Sequence, residues 1–166
     1  MAEVLTGILD HLVTLLEGTA TSITRSVPER RFEHVPFEVE AALANSAEGP
    51  YPFEVQVVRT TPRELNCAGD HQYFTAEVQL RIGYAQALHD QADRQDDLLE
   101  DQRVILRCLT DPDSWTEALT YFCGCKVEGG SILRNVPIPG STGEPEAFLH
   151  ILIVDLAIEY REVMTT

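Results

Sequence analysis

The chain has 166 residues, of which 44% are hydrophobic and 23% are charged, and its formal net charge is -15. This length fits one domain, and the composition is that of a globular protein rather than a disordered or membrane-spanning one. The acidity, with Lys126 as the single lysine, excludes roles that depend on a basic surface, such as phosphate-driven binding of nucleic acid or anionic lipid.

The two ends of the chain give no sign of export or membrane insertion. The start, "MAEVLTGILDHLV", lacks the basic residues of a signal peptide. The longest apolar stretch, "AFLHILIV", is far shorter than the ~20 residues that cross a bilayer. We therefore expect a cytosolic protein whose four cysteines are reduced thiols: Cys67, Cys108, Cys123 and Cys125.

The N-terminal part predicts a helix followed by a long connection. Apolar residues recur at helical spacing from Glu3 to Glu17, and Gly18 is suited to cap the helix. Prolines and glycines then interrupt every period between residues 19 and 52. A connection of this length predicts an arm or an interaction loop.

Two segments with a period of two predict an antiparallel hairpin. They are "FEVQVVRT" (53 to 60) and "YFTAEVQLRIGY" (73 to 84), joined by the long loop "TPRELNCAGDHQ". In the second segment, one side is apolar and the other side is polar. This pattern is typical of a strand that packs on one face only.

The second half predicts a helix and two further strands. A helix over 90 to 109 ends at the turn "TDPDSW", and the short strand "LTYFCGCKVEG" and the loop-prone "SILRNVPIPGSTGEPE" follow. The final strand is "FLHILIVDLAIEYREV", whose apolar run before Leu152 indicates burial on both faces or a bulge. Residues 1 to 166 thus predict one α+β domain, with a mainly antiparallel sheet of about four strands flanked by the N-terminal helix and a central acidic helix.

The stretch "DRQDDLLEDQR" holds five carboxylates in eleven residues. On a helix, Asp93, Asp97, Glu100 and Asp101 fall within one band, opposite the leucines. The stretch lacks the central glycine of a calcium loop and the Glu-x-x-His pairs of a di-metal site. It therefore predicts a solvated acidic surface rather than a metal or acid/base site.

The cysteines provide the main alternative, a small metal-binding or thiol-dependent protein. "CGC" at 123 to 125 places two thiols on one side of a strand, roughly 6.5–7 Å apart. Cys67, Cys108 or His71 could complete a metal site, but buried cysteines are common as small apolar residues, and we favour packing. "CAGDHQ" holds Cys, Asp and His together, yet catalytic triads converge from distant segments. We expect no cofactor, no metal and no enzyme activity.

Three stretches carry a resemblance to a known family: "AEVQLRIGYAQAL", "DDLLEDQRVILRCLTDP" and "FLHILIVDLAIEYRE". The first two resemble the strand and the helix with an Asp-rich start in the tail terminator and tail-completion proteins of long-tailed bacteriophages. The third resembles their terminal strand, which ends in a Tyr-Arg-like pair. The resemblance covers about the last 90 residues of the chain.

The resemblance implies a structural virion protein that forms a ring, hexameric in the family, after its synthesis in the host cytoplasm. The ring would cap the head-proximal end of the tail tube, contact the tube protein and the neck or connector protein, and let DNA pass without binding it specifically. A cytosolic adaptor that stays a monomer is the remaining alternative.

Ring closure would have to overcome charge repulsion, because six chains of -15 each would carry -90. We expect four arginines to meet acidic groups of the next subunit: Arg25, Arg30, Arg31 and Arg59. The carboxylates of Asp93, Asp97, Glu100 and Asp101 would stay solvated or face the lumen.

Overall fold

The computed structural model describes residues 2–18, 32–34, 51–63, 71–87, 95–115 and 120–163. The helices are α1 (Ala2–Gly18) and α2 (Gln95–Thr110), and a 3-10 turn lies at Pro112–Ser114. The strands are β1 (Phe32–His34), β2 (Tyr51–Pro62), β3 (His71–Ala87), β4 (Phe122–Pro139) and β5 (Pro145–Val163). The α+β class is confirmed, and neither described helix is long and apolar enough to cross a membrane.

The five described strands form one sheet in the order β1-β2-β3-β5-β4. The prediction of a mainly antiparallel sheet holds for the three pairings among β2, β3, β4 and β5, but the sheet is mixed and has more than the predicted four or so strands, since β1 is a fifth described strand and runs parallel to β2. β1 has only three residues, too few to show a period, so it was hidden within the predicted connection of residues 19 to 52. Residues 19–31 and 35–50 of that connection lie outside the described part of the chain.

The core lies on one face of the sheet, as the pattern in β3 predicts. The buried side chains of β3 are Phe74, Ala76, Val78, Leu80, Ile82 and Tyr84. Alternate residues of β5 are buried beside them, from Leu152 to Tyr160. The helices cover this face with Ile8, Leu12 and Leu16 of α1 and with Ile105 and Leu109 of α2. Burial of this apolar surface is the main stabilising contribution.

The first part of β5 is buried on both faces. Leu149 points to the opposite side of the strand from His150 and Leu152, yet all three are buried. The pairing of β3 with β5 runs without a shift from His71↔Val163 to Ala87↔Ala147. Burial on both faces therefore accounts for the apolar run on the β3 side of β5, where the pairing contains no bulge, while on its other side β4 changes register opposite Leu149 and Ile151.

The predicted loop at residues 131 to 146 is wrong except over residues 140 to 144. β4 continues to Pro139, and only residues 140 to 144 turn into β5, where Gly143 has a positive φ of 83°. β4 tolerates its prolines and glycines because it lies at an edge of the sheet and changes register with β5 at several bulges. The glycine and proline pattern therefore marked an irregular edge strand.

Strands β2 and β3 are longer than predicted, and the predicted start of α2 lies outside the described residues. β2 reaches Pro62 and β3 begins at His71, so both strands extend into the predicted loop of residues 61 to 72. The N–H of Arg63 also donates to the carbonyl of Tyr73, over 2.9 Å. The described helix begins at Gln95, and residues 88–94 of the predicted helix lie outside the described ranges.

We expect Leu80→Ala to lower the free energy of unfolding by about 2–5 kcal/mol, because it leaves a cavity in the core between β3 and the helices. The matched control is Leu99→Ala, since Leu99 on α2 is 45% exposed and its loss should change stability by less than about 0.5 kcal/mol. Urea unfolding measures both. Equal losses would contradict the one-sided core.

Candidate functional site

Both edges of the sheet are open over most of their length within the described residues. β4 pairs with β5 on one side only, and the described residues provide no strand for its other side. At the opposite end of the sheet, β1 pairs with β2 only over Tyr51–Phe53, which leaves the rest of the outer edge of β2 unpaired by any described strand. Unpaired N–H and C=O groups of this kind are a template for a further strand.

The open edges are long and carry exposed apolar side chains. β4 has 18 residues, whereas strands usually have about 5–6 residues. Val58 on β2 is 60% exposed, and Leu133 on β4 is 47% exposed. Natural proteins usually shorten an edge strand or protect it with charges, so a long edge with apolar side chains indicates a contact surface. The bulges of both strands give partial protection.

The face of the sheet that points away from α1 and α2 carries ion pairs between strands. Arg59 on β2 pairs with Glu77 on β3, and the charge and hydrogen bond of Glu77 raise the pKa of Arg59. Arg81 lies 3.3 Å from Glu54. A third pair joins Arg63 and Glu159 across 3.2 Å. These pairs are exposed or only partly buried and contribute little to stability, but they neutralise the arginines locally.

A chain of hydrogen bonds crosses the same face. The Nε of Arg81 donates to Oε1 of Gln79 over 2.8 Å, and Nε2 of Gln79 donates to Oδ1 of Asp155 over 2.9 Å. Together with the pair between Arg81 and Glu54, this chain links β2, β3 and β5. The polar side chains therefore satisfy each other across the strands without the help of a helix.

Only one of the four predicted interface arginines is described. Arg59 has its acidic partner, Glu77, in its own chain. It therefore needs no carboxylate from another subunit to be neutralised, although a contact between subunits remains a prediction. Arg25, Arg30 and Arg31 lie outside the described residues.

The predicted acidic surface of α2 is wrong at Asp101. Asp101 is only 1% exposed, and the hydroxyl of Tyr84 donates to its Oδ2 over 3.0 Å. Asp101 lies one and two turns before Ile105 and Leu109, so it shares their buried face. The hydrogen bond from Tyr84 compensates for part of the cost of burying the carboxyl group.

Of the other predicted acidic residues, only Glu100 has a described side chain. Glu100 is half-buried, the side chain of Asp97 lies outside the described part, and Asp93 precedes the described helix. The described side chains that α2 exposes to solvent include Leu99, Arg103 and Arg107. The exposed side of the described helix thus carries arginines. Because Asp101 is buried, it gives no support to the predicted lumen-facing role of the acidic residues.

Residues Cys123, Gly124 and Cys125 of the Cys-Gly-Cys segment line one open cavity of about 440 Å³. Its wall includes Trp115 and Phe122, whose rings stack with centroids 4.5 Å apart. The indole N–H of Trp115 donates to the carbonyl of Leu109 over 2.9 Å, which fixes the ring at the end of α2. The cavity therefore lies between the C-terminus of α2 and the start of β4.

The chemistry of these thiols favours neither a nucleophile nor a metal site. Burial raises the pKa of Cys125 to about 11 and also raises the pKa of Cys123. The thiolate is the form that attacks carbon and binds metals, so a raised pKa makes both thiols less reactive at neutral pH than an ordinary cysteine. Cys108 and His71 do not line the cavity, and Cys67 lies outside the described residues. Among the described side chains, no three His, Cys, Asp or Glu residues are grouped so that they could hold a metal ion.

Several residues of these surfaces gave no signal in the sequence. Val58 looks like an ordinary strand residue and Leu133 lies in the predicted loop, and only the strand order places both on edges. Gln79 stands among the polar residues of β3, but its bridging role depends on Asp155, 76 positions away. A partner at that distance along the chain cannot be inferred from a local period.

Comparison with known proteins adds no relative, since no family model and no curated protein matches the sequence. The fold and its surfaces define a small α+β protein with a one-sided core and, among its described residues, two sheet edges that no strand covers over most of their length.

We expect Tyr84→Phe to lower the free energy of unfolding by about 1–3 kcal/mol, because the buried carboxyl of Asp101 loses a hydrogen bond. Tyr73→Phe is the matched control on the same strand, because Tyr73 is exposed and loss of its hydroxyl should change stability by less than about 0.5 kcal/mol. Thermal and urea unfolding measure both variants. An unchanged stability of Tyr84→Phe would show that this hydrogen bond contributes nothing net.

Proposed function

We propose that this chain is a structural protein that assembles with copies of itself into a ring through the open edges of its sheet. The supporting observation is the strand order, in which β4 and most of β2 lie at opposite edges of one sheet and have no further partner among the described strands. The β2 edge of one copy then pairs with the β4 edge of the next. A contact between two different surfaces builds a ring when the rotation between copies closes.

The proposed ring is a tail terminator of a long-tailed bacteriophage, and six is its expected number of copies. It caps the head-proximal end of the tail tube and contacts the tube protein on one side and the neck or connector protein on the other. Support comes from the resemblance of the three stretches in the last 90 residues and from the order of helix, hairpin, helix and hairpin. The protein is then a virion component that is made in the host cytoplasm and has no enzyme activity.

The charges of the chain are compatible with the passage of DNA. At -15 per chain, a ring repels phosphate overall. Arg59, Arg63 and Arg81 on the face that points away from the helices each have a carboxylate partner in the same chain. These arginines therefore offer little free positive charge to hold a sliding duplex.

The alternative of a metal-binding or thiol-dependent protein has less support. It requires Cys123 and Cys125 to act as thiolates, and the raised pKa of both groups opposes this. Stoichiometric zinc or iron in the purified protein, measured by elemental analysis, would favour this alternative over the ring.

Lysine substitutions at the two edges test the ring. We expect Val58→Lys on β2 and Leu133→Lys on β4 each to weaken self-association at least about tenfold, or ~1.4 kcal/mol, because a charge opposes strand pairing at an edge. Leu99→Lys is the matched control, since it places the same charge at an exposed leucine on α2. Light scattering over a dilution series measures the mass, and circular dichroism checks that each variant is folded.

The wild-type mass distinguishes the outcomes. Six chains of 18.5 kDa correspond to about 111 kDa, and negative-stain electron microscopy should show rings with an open centre. If the edge variants assemble as well as the wild type, the edges are not the interface. A wild-type chain that stays monomeric, even with tube protein present, would contradict the terminator proposal and favour a monomeric adaptor.

A further inference from the structure

Two arginines on the exposed side of α2 have no acidic partner among the described residues. Arg103 and Arg107 are both exposed, and neither forms an ion pair with another described residue. They lie one turn apart on the helix, which places their Cβ atoms about 6 Å from each other. Their face of α2 is opposite the one that buries Asp101, Ile105 and Leu109, so both side chains project away from the sheet.

A groove of about 300 Å³ crosses the other face of the sheet, the one that points away from α1 and α2. Its lining includes residues of all four long strands: Val58, Glu77, Gln79, Glu128 and Asp155. Glu77 is neutralised by Arg59, whereas Asp155 accepts a hydrogen bond from the uncharged Gln79. Glu128 is exposed, and no described cation forms an ion pair with it or with Asp155. The groove therefore contains two carboxylates that keep their negative charge.

The two arginines and the two carboxylates match in number and in spacing. Asp155 lies on β5 and Glu128 lies on the neighbouring strand β4, and neighbouring strands are about 4.8 Å apart. This spacing is close to the roughly 6 Å between the Cβ atoms of Arg103 and Arg107. A helix that crosses the strands can therefore direct one guanidinium group to each carboxylate.

We propose that α2 of one copy docks across the sheet of a second copy, with Arg103 and Arg107 in the groove beside Glu128 and Asp155. The argument for a second copy is charge complementarity, since the chain itself carries both surfaces. They lie on opposite sides of the molecule, so the contact is head-to-tail and joins successive copies into a stack. It uses the faces of the sheet, whereas the proposed ring uses the edges, so it does not rest on the ring.

A zero-length cross-link tests which surfaces meet. A carbodiimide joins an amine to a nearby carboxylate and takes up the water that is lost, but it does not join arginine. Arg107→Lys therefore keeps the positive charge and adds a reactive amine. Position 107 and Glu128 lie on opposite sides of one chain, so a bond between them has to join two copies. We expect a covalent dimer in which tryptic peptides connect position 107 to Glu128 or Asp155. The parent chain is the control, because α2 contains no lysine.

Charge reversal tests the contact in a Leu133→Lys background, which opposes pairing at the β4 edge but leaves the groove lining unchanged. Arg103→Glu should weaken the remaining self-association at least about tenfold, because a carboxylate then faces the groove. Lys126→Glu is the matched control, since Lys126 is exposed and outside the lining. It changes the net charge equally but adds negative charge near Glu128, so association should not weaken. Light scattering over a dilution series measures the mass, and circular dichroism checks the fold.

The salt dependence provides a further readout. Raising the salt concentration from 0.1 M to 1 M shortens the Debye length from about 10 Å to about 3 Å, so it should weaken the contact between faces. The proposal is overturned if the Leu133→Lys chain stays monomeric, if Arg103→Glu and Lys126→Glu weaken association equally, or if position 107 links only to carboxylates outside the groove. The cross-link is measured without Leu133→Lys, so it decides the question even where that variant does not fold. The ring proposal keeps its separate test at the edges.

Discussion

The pairing of β3 with β5 is the constraint on which the rest of this structure depends. Seventeen residues of β3 pair with β5 in unbroken register, and both strands present their apolar residues to the same side. A slip of one residue would turn every apolar side chain of one strand toward solvent, so the hydrophobic pattern fixes the register. The positions of both helices follow, because α1 and α2 can cover only the face that this pair makes apolar.

One-sided burial also determines the character of the other face and of the edges. Because the helices cover one side, the polar side chains of β3 must find partners on neighbouring strands, and the chain from Glu54 to Asp155 through Arg81 and Gln79 meets this requirement. Both helices pack on the core face, and no described strand extends β4 or most of β2. A stable core and open edges thus arise from the same arrangement, which is the physical basis of the proposed assembly.

The sequence predicted the features that depend on local periods. The one-sided pattern of β3 and the apolar face of α1 needed only neighbouring residues, and the structure bears both out. Long-range features were missed or misassigned. The glycines and prolines of β4 suggested a loop because its position at an edge, where they are tolerated, is set by the whole sheet. Asp101 seemed solvated because its partner, Tyr84, lies on a different element.

The β3–β5 pairing also has a consequence for the order of folding. Its paired residues are 60 positions apart at Ala87↔Ala147 and 92 apart at His71↔Val163, whereas β4 and β5 are joined by a short turn. The β4–β5 hairpin closes a small loop and forms early, while β3 must close a large one, and folds of this kind take roughly milliseconds to seconds. During that interval the hairpin exposes its apolar side chains and the edge of β5 that β3 later occupies. Newly made copies are then able to pair at the wrong edge, so a low concentration of unfinished chains favours correct folding.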